Sequence, residues 1–219
     1  MIRHLLTNAE GRRIALIINE FGDMGVDGEL LKSCDSPACK ADEIVELANG
    51  CICCTVADDF LPTIEAILAR PERPDHIIIE TSGLALPKPL IKAFAWPEVR
   101  SQVTVDGVVA VVDAAAVADG LFATDVAAVQ AQREADEALD HESPLEELFE
   151  EQLAAADMVI INKADLVNDA QMAKARANVD RETREGTKVL TATMGEVAAS
   201  VLLGLNAAAE DDLDSRKSH

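Results

Sequence analysis

Met158-Val159-Ile160-Ile161-Asn162-Lys163-Ala164-Asp165 runs an unbroken apolar segment straight into a polar tetrad, and the reading of that junction decides the fold. A continuous Val/Ile run without alternation marks a strand covered on both faces, as in a parallel sheet. Three further runs have the same character: Ile14-Ala15-Leu16-Ile17-Ile18, Ile77-Ile78-Ile79 and Val108-Val109-Ala110-Val111-Val112. Lys188-Val189-Leu190 is a weaker fifth. Helical stripes lie between them, one from Leu61, Ile64, Ile67 and Leu68, another from Leu145, Leu148, Phe149 and Leu153. Ser143-Pro144 followed by two glutamates signals the start of the second stripe's helix. Strand–helix alternation predicts an α/β domain with a mostly parallel, doubly wound sheet and helices on both faces.

In such sheets ligands bind beyond the carboxyl ends of the strands. Asn19-Glu20-Phe21-Gly22-Asp23 follows the first run and Glu80-Thr81-Ser82-Gly83 the second; Asp113 follows the third and Asn162-Lys163-Ala164-Asp165 the fourth. Polar residues gathered at one edge of an aliphatic sheet read as a site. The last tetrad fits guanine recognition. A carboxylate at Asp165 can accept from the N1–H and N2–H₂ edge that adenine lacks, the Lys163 stem can lie over the base, and the Asn162 amide can tie neighbouring loops. The competing reading is a plain helix cap by Asp165. Glu80 stands where nucleoside triphosphatases hold a carboxylate near magnesium or water, and Gly83 could let its backbone approach a γ-phosphate. A strand-end turn explains the same residues without a ligand.

Cys51-Ile52-Cys53-Cys54 crowds three thiols beside the Asn49-Gly50 bend. Thiolates favour zinc, cobalt(II) or copper(I) over magnesium or calcium. Burial as small hydrophobes is the alternative. A disulfide between such close neighbours is strained, and the context expected of a redox thiol is missing. Cys34 and Cys39 flank Asp35-Ser36-Pro37-Ala38, as a second metal site or as loop cysteines without function. His4, His76 and His141 are isolated and read as structural or solvated.

The 219 residues suit one sizeable domain, or one domain and a tail. With no Tyr and one Trp, the core must be aliphatic and alanine-rich. No stretch approaches the roughly 20 apolar residues of a membrane span, and the start is too short and polar for a signal peptide. Free cysteines without an export signal point to the cytoplasm. A net charge of −21 argues against nucleic acid and anionic membranes. The tail from residue 207, with Glu210-Asp211-Asp212, reads as acidic and disordered.

Asn19-Glu20-Phe21-Gly22, Gly50 through Cys54, Glu80 through Pro87 and Asn162 through Asp165 stand in the order and approximate spacing of CobW-type metallochaperone GTPases, which this chain resembles from Ile2 to Leu205. Glu46-Leu47-Ala48-Asn49-Gly50 and Val103-Thr104-Val105-Asp106-Gly107-Val108-Val109 point to the branch of the aerobic cobalamin pathway. The resemblance implies a P-loop fold, magnesium-GTP binding, slow GTP hydrolysis and a metal held by Cys51, Cys53 and Cys54. It places Glu20 in a switch region near magnesium and the metal. Glu80 becomes the acid that acts at the magnesium, and Gly83 a γ-phosphate contact. Asn162, Lys163 and Asp165 become the guanine readers. The implied cargo is cobalt(II), delivered to a cobaltochelatase; related branches are thought to handle zinc.

One departure accompanies these matches. The family carries a strand and a Gly-rich phosphate loop before the helix that continues here as Ile2-Arg3-His4-Leu5-Leu6, and no G-x-x-x-x-G-K-[ST] occurs in this sequence. The expectation is therefore a nucleotide-binding domain over residues 1–206 without its first strand and phosphate loop, then a tail over 207–219 leading toward a further domain. The absent strand would be central, so two neighbours would lose hydrogen-bond partners. Two functions follow: a GTP-gated carrier of cobalt(II) or zinc, or a non-hydrolysing metal-binding fragment or zinc carrier without nucleotide chemistry.

Overall fold

The computed structural model describes residues 1–18, 44–46, 60–81, 83–121, 123–135 and 144–216, with residues 44–46, 132 and 135 in backbone only. Glu20, Cys34, Cys39, Cys51, Cys53, Cys54, Ser82, His141 and Ser143 lie outside the described residues.

The strands are β1 (Ile14–Ile18), β2 (Ile44–Glu46), β3 (His76–Glu80), β4 (Val109–Asp113), β5 (Met158–Asn162) and β6 (Lys188–Thr191). The helices are α1 (Ile2–Thr7), α2 (Leu61–Leu68), α3 (Pro87–Ala93), α4 (Pro97–Arg100), α5 (Ala114–Ala118), α6 (Val126–Ala135), α7 (Leu145–Ala155), α8 (Asp169–Glu182) and α9 (Ala199–Leu202). Every apolar run named above becomes a strand, and both helical stripes become helices. The α7 helix starts directly after Pro144, with no side-chain cap on its first turn.

All pairings are parallel, but among the described residues the strands form two sheets, ordered β2-β1-β3 and β4-β5-β6. The middle strands behave as their sequences dictate: β1 is buried throughout, and β5 is buried until it reaches Asn162. Alternate residues serve opposite faces. Leu16, Ile18, Met158 and Ile160 share one cluster with Leu5 and Leu6 of α1, against which Ile78 and Val109 also pack. A single core therefore spans both sheets. Ala15 and Ile17 face the other way, onto Ile64 and Ile67 of α2 and onto Phe60, whose ring meets Phe94 edge to face at 5.0 Å. Val159 and Ile161 face Ala175 and Val179 of α8. Each fully buried Ile or Leu contributes about 1.5–3 kcal/mol.

The strands that end the sheets are less covered: β3 is half-buried along its length, and Val111 of β4 is 46% exposed. Each is paired on one side only among the described strands.

The segment expected to be disordered from residue 207 differs in the structure, which describes it as packed up to Arg216. Ala207 and Ala209 donate backbone hydrogen bonds to the carbonyls of Asp106 and Val105. Glu210, nearly buried, accepts from the Thr104 hydroxyl and the Val105 N–H. Arg216 is 1% exposed and donates to the Ala155 carbonyl and to Asp157, which Arg184 also holds at 2.8 Å. Acidic composition suggests a solvated tail, but Glu210 finds a hydroxyl and a backbone N–H, and Arg216 a half-buried aspartate. Residues 217–219 lie outside the described part.

Candidate functional site

Parallel strands bring their carboxyl ends to one edge of each sheet, and the polar residues of the sequence stand there. Glu80 closes β3 opposite Ile18, and Asp113 closes β4 opposite Asn162 of β5.

Beyond β5 the chain turns sharply. Lys163 adopts the left-handed conformation (φ 60°, ψ 36°), and Ala164–Leu166 forms one 3₁₀ turn. Such backbone is unfavourable for a residue with a Cβ, and it concentrates at functional sites. Two bonds brace the turn. The Ala164 N–H donates to the Ala192 carbonyl at 3.0 Å, and the Gly195 N–H donates to Asn162 Oδ1 at 2.9 Å. Asn162 thus ties its own loop to the one after β6, as the sequence reading expects of its amide. Gly195 has φ 69°, and a Cβ on it would lie 2.5 Å from the backbone nitrogen of Met1, so glycine is required there.

Asp165 is exposed, and its carboxylate makes no hydrogen bond among the described residues. Two apolar side chains of the joined loops are also exposed, Leu166 (66%) after β5 and Met194 (78%) after β6.

Lys163 Nζ lies 2.7 Å from Asp113 Oδ2. The other oxygen of Asp113 accepts from the N–H groups of Ala115 (2.8 Å) and Ala116 (3.3 Å), capping α5, and Thr124 Oγ1 donates to Oδ2 at 3.2 Å. Burial pushes the Asp113 carboxyl up. The Lys163 ammonium and the two cap N–H groups outweigh it and hold the group below the ordinary aspartate value.

In the other sheet, the loop after β3 is held from α7: Gln152 Nε2 donates to the Gly83 and Ala85 carbonyls at 2.8 and 2.9 Å. A Cβ built on Gly83 meets nothing within 4 Å among the described residues. The structure thus brings Asn162, Lys163 and Asp165 together at the end of β5, and carries Glu80 at the end of β3 with Gly83 in the loop that follows. Sequence reading noted Asp113 only as a strand-end residue and missed Gln152, Met194 and Gly195. A glycine just past β6 was the available signal for the last of these. Among the described residues no group of three or more His, Cys, Asp or Glu side chains could hold a metal, and no helix is long and apolar enough to cross a membrane.

Residues 1–191 match the CobW/HypB/UreG nucleotide-binding domain. The chain belongs to this family. It is 60% identical over its whole length to the zinc chaperone CobW of a Sinorhizobium species, covering 62% of that protein. It is 53% identical to the zinc chaperone CobW of Pseudomonas aeruginosa, again over the whole chain and 59% of the relative. The chain thus spans about three-fifths of the length of these curated relatives. Among solved structures, Zn(II)-bound YjiA GTPase from Escherichia coli superposes with a TM-score of 0.54 at 22% identity, over 94% of this chain and 56% of that one. That likeness bears on the fold, which is of the P-loop nucleoside triphosphatase type.

Proposed function

We propose that the chain is the guanine-nucleotide-binding part of a metal chaperone whose cargo is zinc, held by Cys51, Cys53 and Cys54 with Glu20 nearby. The observation that carries the nucleotide half is the braced loop after β5. There the Asp165 carboxylate, without a hydrogen-bond partner among the described residues, follows Lys163 in the chain, and Asn162 locks the loop to Gly195. The cargo half rests on the thiol cluster of the sequence and on two relatives named zinc chaperones. Those names favour zinc over the cobalt(II) and the cobaltochelatase delivery that the cobalamin-branch resemblance implies.

In this reading Asp165 accepts the N–H donors of guanine, and the Lys163 stem supports the ring. Glu80, at the carboxyl end of β3, takes its place near the magnesium that accompanies the nucleotide. Nucleotide binding favours the arrangement that closes the cysteine site, and hydrolysis releases it. A preference of a few kcal/mol for the closed form changes metal affinity by orders of magnitude.

The test is zinc titration of the reduced chain with and without magnesium-GTP, in competition with cobalt(II), whose thiolate charge-transfer absorbance reports occupancy. Magnesium-GTP is expected to tighten binding, and Cys53→Ser to abolish it. Unchanged metal binding in Cys53→Ser would overturn the cargo site. Equal affinity with and without nucleotide would leave an ungated metal-binding module.

A further inference from the structure

The Lys163–Asp113 pair does more than its exposure would suggest. A carboxylate needs partners when it is withdrawn from water, but Asp113 already has them: two backbone N–H groups at the start of α5 and the Thr124 hydroxyl. Lys163 is therefore not required to satisfy it. The pair is also lopsided, since the lysine side chain is 51% exposed and the aspartate 17%. The less exposed member, fixed by its cap bonds, is the anchor, and the more exposed lysine is the one being held. An ion pair this exposed adds little to stability. Its main effect falls on the lysine, whose long side chain otherwise samples many rotamers.

We infer that Asp113 is a positioning residue of the base site: by holding the Lys163 ammonium from the end of β4, it pre-sets the lysine stem as the ledge on which a guanine ring lies. The inference rests on the proposed guanine-binding reading of Asn162, Lys163 and Asp165, and adds to it a residue from the neighbouring strand. Asp113 is the register partner of Asn162, the residue before Lys163, and the lysine side chain reaches across from the end of β5 to meet it at the end of β4. The energetic consequence is preorganisation. Immobilising the stem before the base arrives removes an entropic cost from binding. The stem does not read the base edge, so Asp113 acts on affinity for any purine nucleotide, while guanine preference stays with Asp165.

The experiment is a double-mutant cycle on the full chain, read by binding of fluorescent GDP and IDP in the presence of magnesium. Asp113→Ser retains an oxygen to cap α5 but is too short to reach Lys163. Lys163→Met keeps an unbranched stem with no ammonium to anchor. With Lys163 present, Asp113→Ser is expected to weaken GDP and IDP alike by about three- to tenfold, as for contacting residues that couple. In the Lys163→Met background the same change should have less than a twofold effect. The IDP/GDP ratio should stay at the wild-type value throughout. Should Asp113→Ser fail to fold, Asp113→Asn runs the same cycle, keeping the cap and removing the charge. Equal losses in both backgrounds, or a changed IDP/GDP ratio, would overturn the role of Asp113 while leaving the guanine site standing. Failure of the wild-type chain to bind either nucleotide would instead remove the guanine reading, and this inference with it.

Discussion

Asn162 Oδ1 accepts the backbone N–H of Gly195 at 2.9 Å, so one side chain at the end of β5 fixes the loop that follows β6. The bond is part-buried, and Met1 packs its backbone against the same glycine. Asn162→Ala leaves the Gly195 N–H without that acceptor, at a cost of about 1–2 kcal/mol. Gly195→Ala meets both an unfavourable φ of 69° and a 2.5 Å contact with Met1, and should cost at least as much. Thermal unfolding of the two variants checks both values. Combined, they should cost less than the sum of the single changes, because both break the same bond. Full additivity would show that Asn162 does not act through this loop.

Asp165 supplies the base preference in the proposed site, and its carboxylate is exposed and unpaired within the described protein. Asp165→Ala should therefore leave stability within about 0.5 kcal/mol of wild type, as for surface positions without partners. Loss of a paired hydrogen-bond acceptor for guanine should at the same time reduce the GDP/ADP affinity ratio by about 10- to 100-fold. Competition binding against fluorescent GDP measures the ratio. A variant that melts early and keeps its selectivity would return Asp165 to the plain helix-cap reading.

Much of this arrangement is legible in the sequence. The apolar runs gave the strands because a strand buried on both faces must be apolar at consecutive positions, and Ile14–Ile18 and Met158–Asn162 are the middle strands. The asparagine of the tetrad joins two loops, a role its amide and its place at a strand end suggest. Helix α8 left a weaker trace, since only Ala175 and Val179 of its residues are buried. Its clearest sign was polar, the reciprocal capping box of Asn168 and Gln171. The role of Asp113 was not legible because it depends on register. Only the parallel pairing of β4 with β5 puts it beside the lysine of another strand. The packed segment after Asn206 was hidden for a similar reason: its partners, Thr104, Val105, Asp106 and Asp157, are far away in sequence.

Arg216 should be the anchor of that segment. Its guanidinium is 1% exposed and reaches the Ala155 carbonyl and Asp157, beside Arg184, which donates to the Ala154 and Ala156 carbonyls. Together the arginines cover the last carbonyls of α7, where a helix dipole favours positive charge. Arg216→Ala is expected to cost about 3 kcal/mol, the scale for breaking a buried pair, softened because Arg184 still holds Asp157. Arg216→Lys should recover only part, since one ammonium cannot reproduce the two-pronged contact. Urea unfolding followed by circular dichroism gives both numbers, and a cost near zero for the alanine variant would mean the segment contributes nothing to the fold.

The pH response of the same region follows from Asp106, whose carboxylate accepts the N–H groups of Gly204 at 2.6 Å and Asn206 at 2.8 Å. Burial raises its pKa, but the N–H donors of Asn206, Gly204 and Leu205 outweigh that, so the group sits below the ordinary aspartate value. A carboxyl whose folded pKa is lower than its unfolded one, about 3.9, stabilises the fold above that value and loses the contribution as pH falls through the folded pKa. Asp106→Asn removes the charge at every pH while keeping a similar shape. The stability gap between wild type and Asp106→Asn should thus be constant, at about 1–2 kcal/mol, from pH 7 down to about pH 5. Below about pH 4 it should shrink, because wild type then protonates toward the state that the variant mimics. A gap that widens on acidification would mean that the carboxyl is protonated more readily in the folded chain, and the N–H cradle would not be what holds residues 204–206 in place.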